Sequence, residues 1–280
     1  PQQIYNEFSS GSQDIVAIRD FVRMLYERAA VPGDEPQYLL LIGDGSYDNK
    51  NRTVGNTNFI PTYQTPNSID VIGSLVSDDY FGLLDPLEGT WLGAAGSELL
   101  DISIGRLPVK TQEEANNVVN KILNYNIPNS MNEWRNRINF LGDDEDNNTH
   151  MSQSNSLASI VESGHKDYNV NKMFFDAFKQ ESTPGGSRYP GVNTEIKNTV
   201  DEGALIVNYT GHGGESGLTS ERIIDIDQIQ EWKNYDRLPL FVTATCEFGR
   251  LDNPDLTSGG EHIILSPDGG GVALLTTTRY

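Results

Sequence analysis

Three segments of the sequence carry side chains that could act together as nucleophile, base and orienting acid. His212 lies in the segment TGHGG (210–214), and the chain's one cysteine, Cys246, directly follows the apolar run 240–245. Four acidic residues, 143–146, follow another apolar run at 138–141. A thiol becomes an effective nucleophile when a neighbouring imidazole raises its thiolate fraction. These residue types predict acyl transfer by a cysteine–histidine pair.

Acyl transfer also requires donors for the oxyanion that forms when the carbonyl carbon becomes tetrahedral. Gly213 has no side chain to obstruct a substrate carbonyl, so its backbone N–H is one predicted donor, and the N–H of Cys246 is the second. Each signal alone is weak, because a single cysteine at a strand end is more often a small buried hydrophobe. A histidine between glycines can also simply occupy a turn. Their joint occurrence after two strands favours the catalytic interpretation.

The elements that must position these residues alternate along the chain. Apolar runs predict strands at 38–42, 138–141, 172–175, 204–209, 240–245 and 272–277. Helical spacing or capping signals predict helices at 15–26, 111–125, 157–161, 194–200 and 227–233. This alternation predicts an α/β fold with a largely parallel sheet covered on both faces. Ligand sites in such sheets lie beyond the carboxyl ends of the strands, so the three segments meet at one edge if their strands are neighbours.

Residues 44–100 are different, because their glycine, asparagine, aspartate and proline content predicts long loops with strand-like stretches only at 59–63 and 71–76. A seam near 130–135 is the predicted boundary between two α/β halves. Arg106 is predicted to anchor carboxylates at the subdomain junction, in a structural role. The apolar run close to the last residue predicts that the chain is part of a longer protein.

Composition narrows the function classes. The formal charge is -20, from 40 acidic and 20 basic residues, which argues against a nucleic-acid partner. One cysteine excludes an intramolecular disulfide, and no apolar run approaches the roughly 18 residues that span a bilayer. Three further histidines lack partners at metal-ligand spacing, so no metal site is predicted from them: His150, His165 and His262. Loop aspartates are interpreted as solvated, with calcium left open: Asp44, Asp48, Asp78, Asp79 and Asp85.

Several segments of the sequence resemble the gingipain-type cysteine peptidases, family C25: NYTGHGG, TATCEFGR, YLLLIGDGSYD, SDDYFGLLD and GGGVALLTTTRY. The resemblance implies a caspase-like α/β/α sandwich with a smaller subdomain at 1–133 and a catalytic one at 134–280. It implies that Cys246 is the nucleophile, that His212 is the catalytic imidazole, and that the amides of Gly213 and Cys246 form the oxyanion hole. It further implies an acidic residue that orients the histidine, predicted here as Asp144, with Asp143 and Glu145 as alternates. Structural calcium is also known in such peptidases, although no cofactor is required.

Within the family, the overall sequence is most similar to the gingipain-like sortase of type IX secretion. That similarity implies removal of C-terminal signal domains from secreted cargo and transfer of the cargo to a lipopolysaccharide anchor, on the cell-surface side of the bacterial outer membrane. Lipopolysaccharide and other outer-membrane secretion components are the implied partners. The segment after the last strand is expected to line the substrate pocket through Thr278 and Tyr280. Three alternatives stay open: a general secreted protease, a metal-dependent hydrolase that uses the acidic loops, and a catalytically silent surface module.

Overall fold

The computed structural model describes residues 1–31, 33–65, 74–86, 88–89 and 98–279. The chain forms two compact units, and each is described by itself. The first comprises Pro1–Lys110 with Leu251–Asp255, and the second comprises Thr111–Arg250 with Leu256–Tyr280. Among the described helices, none combines the length and apolar character that crossing a membrane requires.

The described residues of the first unit form two helices and two small pairs of strands. The helices are α1 (Gln2–Phe8) and α2 (Ile15–Glu27), and the strands are β1 (Tyr38–Ile42), β2 (Tyr63–Gln64), β3 (Val76–Ser77) and β4 (Ser103–Leu107). Strands β1 and β4 pair in parallel, whereas β2 and β3 pair antiparallel. The helix α2 begins where the Asp14 side chain accepts a hydrogen bond from Val16 N–H, and it buries Ala17 and Ile18 against Leu41 and Phe81. Of the predicted stretch 71–76, residues 71–73 lie outside the described residues.

Arg106 organises the loops of the first unit. Its guanidinium makes two hydrogen bonds of 2.6 and 2.7 Å to Asp78, and the Arg106 side chain is only 4% exposed. It also donates to the carbonyl oxygens of Gly43, Ile60 and Pro61 at 2.7 to 3.3 Å. A planar cation with five donors can satisfy several buried acceptors at once. The predicted structural role of Arg106 is therefore matched by its contacts.

The second unit contains a five-stranded parallel sheet and five helices. Its helices are α3 (Gln112–Tyr125), α4 (Glu145–Gly164), α5 (Pro190–Glu202), α6 (Ile226–Glu231) and α7 (Gly259–Leu265). Its strands are β5 (Arg137–Gly142), β6 (Asn169–Phe174), β7 (Glu181–Thr183), β8 (Gly186–Arg188), β9 (Ile206–Thr210), β10 (Gly213–Gly214), β11 (Gly217–Leu218), β12 (Ile224–Asp225), β13 (Leu240–Ala244) and β14 (Ala273–Thr276). The main sheet has the order β14-β13-β9-β5-β6, and every pair in it is parallel.

Helices cover both faces of the main sheet. On one face, apolar side chains of β5, β9 and β13 pack with α5, α6 and α7 in a large buried cluster around Tyr209 and Phe241. On the other face, Ile138 and Phe140 of β5 pack against Ala158 of α4. Successive side chains of a strand point to opposite faces, so each buried strand serves both layers. The predicted α/β/α arrangement with a largely parallel sheet is confirmed.

The compact units divide at Lys110 and Thr111 rather than at the predicted seam near 130–135. Helix α3 lies in the second unit because its buried Lys121 reaches the carboxyl end of α7. The Lys121 ammonium donates to the carbonyl oxygens of Ile263, Ile264 and Ser266 at 3.4, 2.9 and 3.1 Å. The division into subdomains 1–133 and 134–280 is implied by the family resemblance and differs in kind from these compact units. It stays a prediction.

Candidate functional site

The register of the main sheet brings the three predicted segments to one edge. Thr210, the last residue of β9, pairs with Gly142 of β5 on one side and with Ala244 of β13 on the other. Beyond this pairing, the N–H of Gly211 donates to the Ala244 carbonyl at 3.2 Å. His212 and Cys246 therefore each lie two residues beyond a paired position on neighbouring parallel strands.

Cys246 begins a loop that the hydrophobic core holds in place. The residue itself is half-buried, while Phe248, two positions later, is fully buried in the cluster beneath the sheet. A Cβ added at Gly249 would lie 2.0 Å from Thr276 Cγ2, so only glycine allows the loop to pass so close to β14. In the part of the chain that the structure describes, the N–H of Cys246 makes no hydrogen bond. This N–H is thus available to a ligand.

His212 is fixed through its backbone, while its ring stays half-exposed. Its N–H donates to Asp143 Oδ2 at 3.1 Å, and its carbonyl accepts from the hydroxyl of buried Tyr209 at 2.6 Å. The ring Nε2 lies 2.9 Å from Asp146 Oδ2 and 3.7 Å from Glu145 Oε2. A neutral imidazole that donates from Nε2 keeps Nδ1 as its acceptor. The contact with Asp146 thus leaves Nδ1 for a thiol.

The four acidic residues 143–146 make different contacts, and the sequence did not reveal which residue makes which. Asp144, the predicted orienting residue, accepts a hydrogen bond from the Tyr189 hydroxyl at 2.7 Å and makes no contact with His212 among the described residues. The alternate Asp143 binds the histidine's backbone, and Glu145 lies farther from the ring than Asp146 does. Asp146 was not among the candidates, yet among the described residues it alone makes a hydrogen bond to the ring.

A left-handed turn directs Asp146 toward the histidine. Asp146, Asn147 and Asn148 have φ values of 54°, 54° and 64° at the start of α4. Aspartate and asparagine are the non-glycine residues that adopt this conformation most readily. The sequence DDEDNN contains that composition, but a regular helix or an exposed loop would have the same one. Three consecutive left-handed residues are therefore a feature that only the structure reveals.

The carboxylates give this edge of the sheet a negative potential. Burial raises the pKa of Glu145, and the charges of Asp143 and Glu221 raise it further. Burial likewise raises the pKa of Tyr209 well above its usual value, with the Asp143 and Glu145 charges adding to the effect. Three carboxylates, those of Asp143, Glu145 and Asp146, thus lie around His212.

The N–H of Gly213 is the other predicted oxyanion donor, and that role stays a prediction. Thr219 N–H donates to the His212 carbonyl at 3.0 Å, and Gly213 is the next paired position, opposite Leu218. Bonded and non-bonded pairs alternate in an antiparallel ladder, so the N–H of Gly213 points away from β11. A Cβ at Gly213 would lie 2.4 Å from Thr245 Oγ1, which requires glycine beside the residue preceding the thiol.

An ion pair joins the loop after His212 to the loop after Cys246. Arg250 Nη1 pairs with Glu215 Oε1, and both side chains are largely buried, at 21% and 16% exposure. The Glu215 carbonyl also accepts from Gly259 N–H at 2.7 Å, at the start of α7. No pattern in the sequence indicates this pair, because its members are 35 residues apart. The contacts hold the two loops in a fixed relation.

The predicted substrate-binding segment runs alongside the cysteine loop. The N–H of Gly249 donates to the Thr277 carbonyl at 3.0 Å, and the N–H of Glu247 donates to the Arg279 carbonyl at 3.4 Å. Thr278 lies between these two contacts, next to the loop that starts at Cys246. Tyr280, the other predicted residue, lies outside the described residues. The role of both in substrate binding stays a prediction.

Three of the five loop aspartates considered for calcium accept hydrogen bonds from protein donors, although Asp44 Oδ1 is buried without a hydrogen-bond partner in the described part of the chain. Asp78 is paired with Arg106, and Asp48 Oδ2 accepts from the backbone N–H groups of Arg52 and Thr53. Asp44 Oδ2 accepts from Thr57 Oγ1 at 2.5 Å. In the described part of the chain, both groups of three closely spaced potential metal ligands contain His212 instead, and neither includes these aspartates. These contacts lend calcium no support there, and calcium stays a prediction.

The comparisons with known proteins agree with the resemblance in the sequence. The model of peptidase family C25 matches residues 1–280. The crystal structure of the Arg-specific cysteine proteinase gingipain R is similar with a TM-score of 0.69 and 20% identity, over 98% of this chain and 55% of that one. A complex of the pro- and mature domains of RgpB from Porphyromonas gingivalis gives a TM-score of 0.70 and 19% identity, over 98% and 56%. The chain thus spans about half the length of these structures. The search of curated proteins found no match. The predicted family and caspase-like fold are confirmed.

Proposed function

Since the chain belongs to peptidase family C25, we propose that it is a cysteine endopeptidase in which Cys246 is the nucleophile and His212 the general base and acid. One observation carries the assignment of these two residues. Thr210 and Ala244 are paired on neighbouring parallel strands, and His212 and Cys246 follow them at equal distance. Neighbouring strands lie about 4.8 Å apart, so the two residues follow adjacent positions at the edge of the sheet.

The proposed reaction begins with transfer of the thiol proton to Nδ1 of His212. The thiolate attacks the peptide carbonyl carbon, a C–S bond forms, and the carbonyl electron pair moves onto oxygen. The N–H groups of Gly213 and Cys246 donate hydrogen bonds to that oxyanion. When the tetrahedral intermediate collapses, the C–N bond breaks and the departing amine takes the proton from His212. A thioester acyl-enzyme remains.

Asp146 is the proposed positioning residue for this step. It accepts a hydrogen bond at Nε2 of His212, so the opposite ring nitrogen is free to take the thiol proton. Asp143 assists from the backbone side, because its carboxylate holds the N–H of the same histidine. We assign Asp144 no part in positioning His212, because its carboxylate accepts a hydrogen bond from the Tyr189 hydroxyl.

The finer proposal is that the acyl-enzyme is resolved by an amine acceptor rather than by water. In that case the chain is the catalytic part of a type IX secretion sortase, which removes C-terminal signal domains from cargo and joins the cargo to lipopolysaccharide at the outer-membrane surface. This sortase proposal is supported by the resemblance in sequence alone. Hydrolysis and aminolysis use the same acyl-enzyme, so the residues of the dyad do not distinguish them.

The dyad is tested by the rate at which iodoacetamide alkylates Cys246 between pH 5 and 9. We expect rapid labelling well below the value of about 8.5 at which a free thiol titrates, and at least a tenfold loss of that rate at pH 6 in His212→Ala. His165→Ala is the matched control, because His165 is exposed at the end of α4. Slow labelling that His212→Ala leaves unchanged would overturn the dyad and favour a silent module.

The acceptor is tested separately with a cargo protein that carries its C-terminal signal domain. Cleavage is run with and without a fluorescent primary amine, and the products are weighed by mass spectrometry. A sortase is expected to attach the amine to the new carboxyl terminus in proportion to amine concentration. If only products of hydrolysis form at every amine concentration, the sortase proposal is refuted and the chain is a peptidase.

A further inference from the structure

The chain carries a compact group of metal-ligand side chains around the imidazole of His212. Asp146 and His150 come from the start of α4, and His212 follows β9, so two distant parts of the sequence meet only in the fold. One potential ligand atom from each residue lies within 4.8 Å of the other two. The rings of His150 and His212 have their centroids 5.0 Å apart and stand at 89° to each other.

The distances suit a small tetrahedral ion. Asp146 Oδ2 lies 2.9 Å from Nε2 of His212 and 3.3 Å from Nε2 of His150. Ligand atoms bound to zinc at about 2.0 to 2.2 Å in tetrahedral geometry are separated by roughly 3.3 Å. Both Asp146 distances are within a few tenths of an ångström of that separation, and the potential ligand atoms of His150 and His212 lie within 4.8 Å of each other.

His150 provides an independent indication of a ligand. Both of its ring nitrogens are inaccessible to solvent, and neither makes a hydrogen bond within the described residues. A buried polar group without a hydrogen bond is costly, and native structures seldom leave one without a reason. The proposed peptidase mechanism gives His150 no task. A metal ion would satisfy Nε2, and the exposed faces of Asp146 and His212 would let it enter from solvent.

We propose that Asp146, His150 and His212 form a site for one zinc-like transition-metal ion, and that the bound ion reversibly silences the peptidase by occupying the imidazole of His212. The second half rests on the proposed function, and the first half does not. Two imidazoles with one carboxylate favour zinc, whereas calcium takes six to eight oxygen ligands. When Nε2 binds the ion in place of its hydrogen bond to Asp146, the neutral imidazole carries its proton on Nδ1 and cannot accept the proton of the thiol.

The alternative group, Asp143 with Glu145 and His212, is less suited to the ion. Asp143 already uses one oxygen to accept from the N–H of His212 and the other to accept from that of Glu145. Breaking those bonds would release the loop that fixes the histidine. The group with His150 requires no such loss, because only the Asp146–His212 hydrogen bond is exchanged for metal bonds.

The test measures Zn²⁺ binding to a Cys246→Ala chain by competition with a chromophoric chelator. This background removes the thiol, both as a ligand and as a catalyst. We expect one ion per chain, and a loss of affinity of more than about tenfold when His150→Ala or Asp146→Ala is added. Asp146→Ala keeps the test valid if His150→Ala fails to fold, because the Asp146 side chain is 59% exposed and its loss should not disturb packing. His165→Ala in the same background is the control and should bind as tightly as its parent.

A second readout separates the site from the proposed function. In the chain with its thiol, Zn²⁺ should slow iodoacetamide labelling of Cys246, and both a chelator and His150→Ala should restore the rate. Zinc affinity that neither ligand substitution changes would overturn the metal site, even if labelling depends on His212. Tight zinc binding that requires His150, together with labelling that ignores His212, would support the site and overturn the dyad instead.

Discussion

The close approach at Gly213 yields a prediction with a worked magnitude. A methyl group there would lie 2.4 Å from Thr245 Oγ1 and 3.2 Å from Leu218 Cδ2, far inside the roughly 3.5 to 4.0 Å at which non-bonded atoms attract. Thr245 is buried, and β-branched side chains have few rotamers with which to move aside. Overpacking of this kind costs about 1 to 3 kcal/mol. Gly213→Ala should therefore lose about that much stability.

The same substitution should cost more in activity than in stability. Relief of the clash moves the peptide of Gly213, and with it the N–H proposed to bind the oxyanion. Loss of one such donor typically lowers kcat by about 10² to 10³. Gly214→Ala is the matched control, because a Cβ there meets no atom within 4 Å. It should change stability by less than about 0.5 kcal/mol and keep its activity.

The assay is a double-mutant cycle with Thr245→Ala, which removes the clashing hydroxyl. That hydroxyl is buried without a hydrogen-bond partner in the described part of the chain, so its removal breaks no bond. Urea unfolding and hydrolysis of fluorescent casein are measured for all four chains. The double variant should recover most of the stability and part of the activity. Equal losses in the two glycine variants, or no coupling with Thr245→Ala, would refute the steric argument.

Two further predictions concern buried cations. Lys121→Met should destabilise the second unit by about 1 to 3 kcal/mol, because three carbonyls at the end of α7 lose their donor. Burial lowers the pKa of Lys121 to about 7, so above that pH the unfolded chain binds the extra proton. Urea unfolding of the wild type relative to Lys121→Met should therefore show stability rising from pH 7 to 10, and a flat difference would contradict this. Arg106→Lys should cost about 2 to 4 kcal/mol in the same assay, since an ammonium cannot reproduce the fork to Asp78 together with three carbonyl contacts; a loss below 0.5 kcal/mol would contradict the role of Arg106.

The sheet was predictable because its signals are local, whereas the catalytic roles of Cys246 and His212 stay predictions. The run 38–42 is β1 to the residue, and 240–245 differs from β13 only at its last position. The capping box of Thr111 and Glu114 forms as expected. Once the strands were recognised as parallel neighbours, their carboxyl ends had to share an edge. The meeting of segments around 143, 212 and 246 then followed from topology.

The roles of the acidic residues were not predictable, because they depend on backbone direction. One left-handed turn exchanges Asp144 for Asp146 at the imidazole, and no composition distinguishes those neighbours. His150 has no ligand partner among the other histidines in sequence, yet it stands against His212 in space. Lys121 interrupts the apolar pattern of α3 and would ordinarily be expected in solvent. Its acceptors lie more than 140 residues away, and only the fold brings them within reach.

The short segment Leu251–Asp255 has a consequence for the order of synthesis. It belongs to the first unit, where the Asp252 carbonyl accepts from Tyr47 N–H and the Asp252 carboxylate accepts from Gln64. A ribosome must therefore translate residues 111–250 before it delivers the last piece of the unit it started with. At about 5 to 20 residues per second this delay is on the order of ten seconds. The first unit is completed only after Cys246 has been made, so its final folding and the appearance of the proposed nucleophile are nearly simultaneous events in the life of the chain.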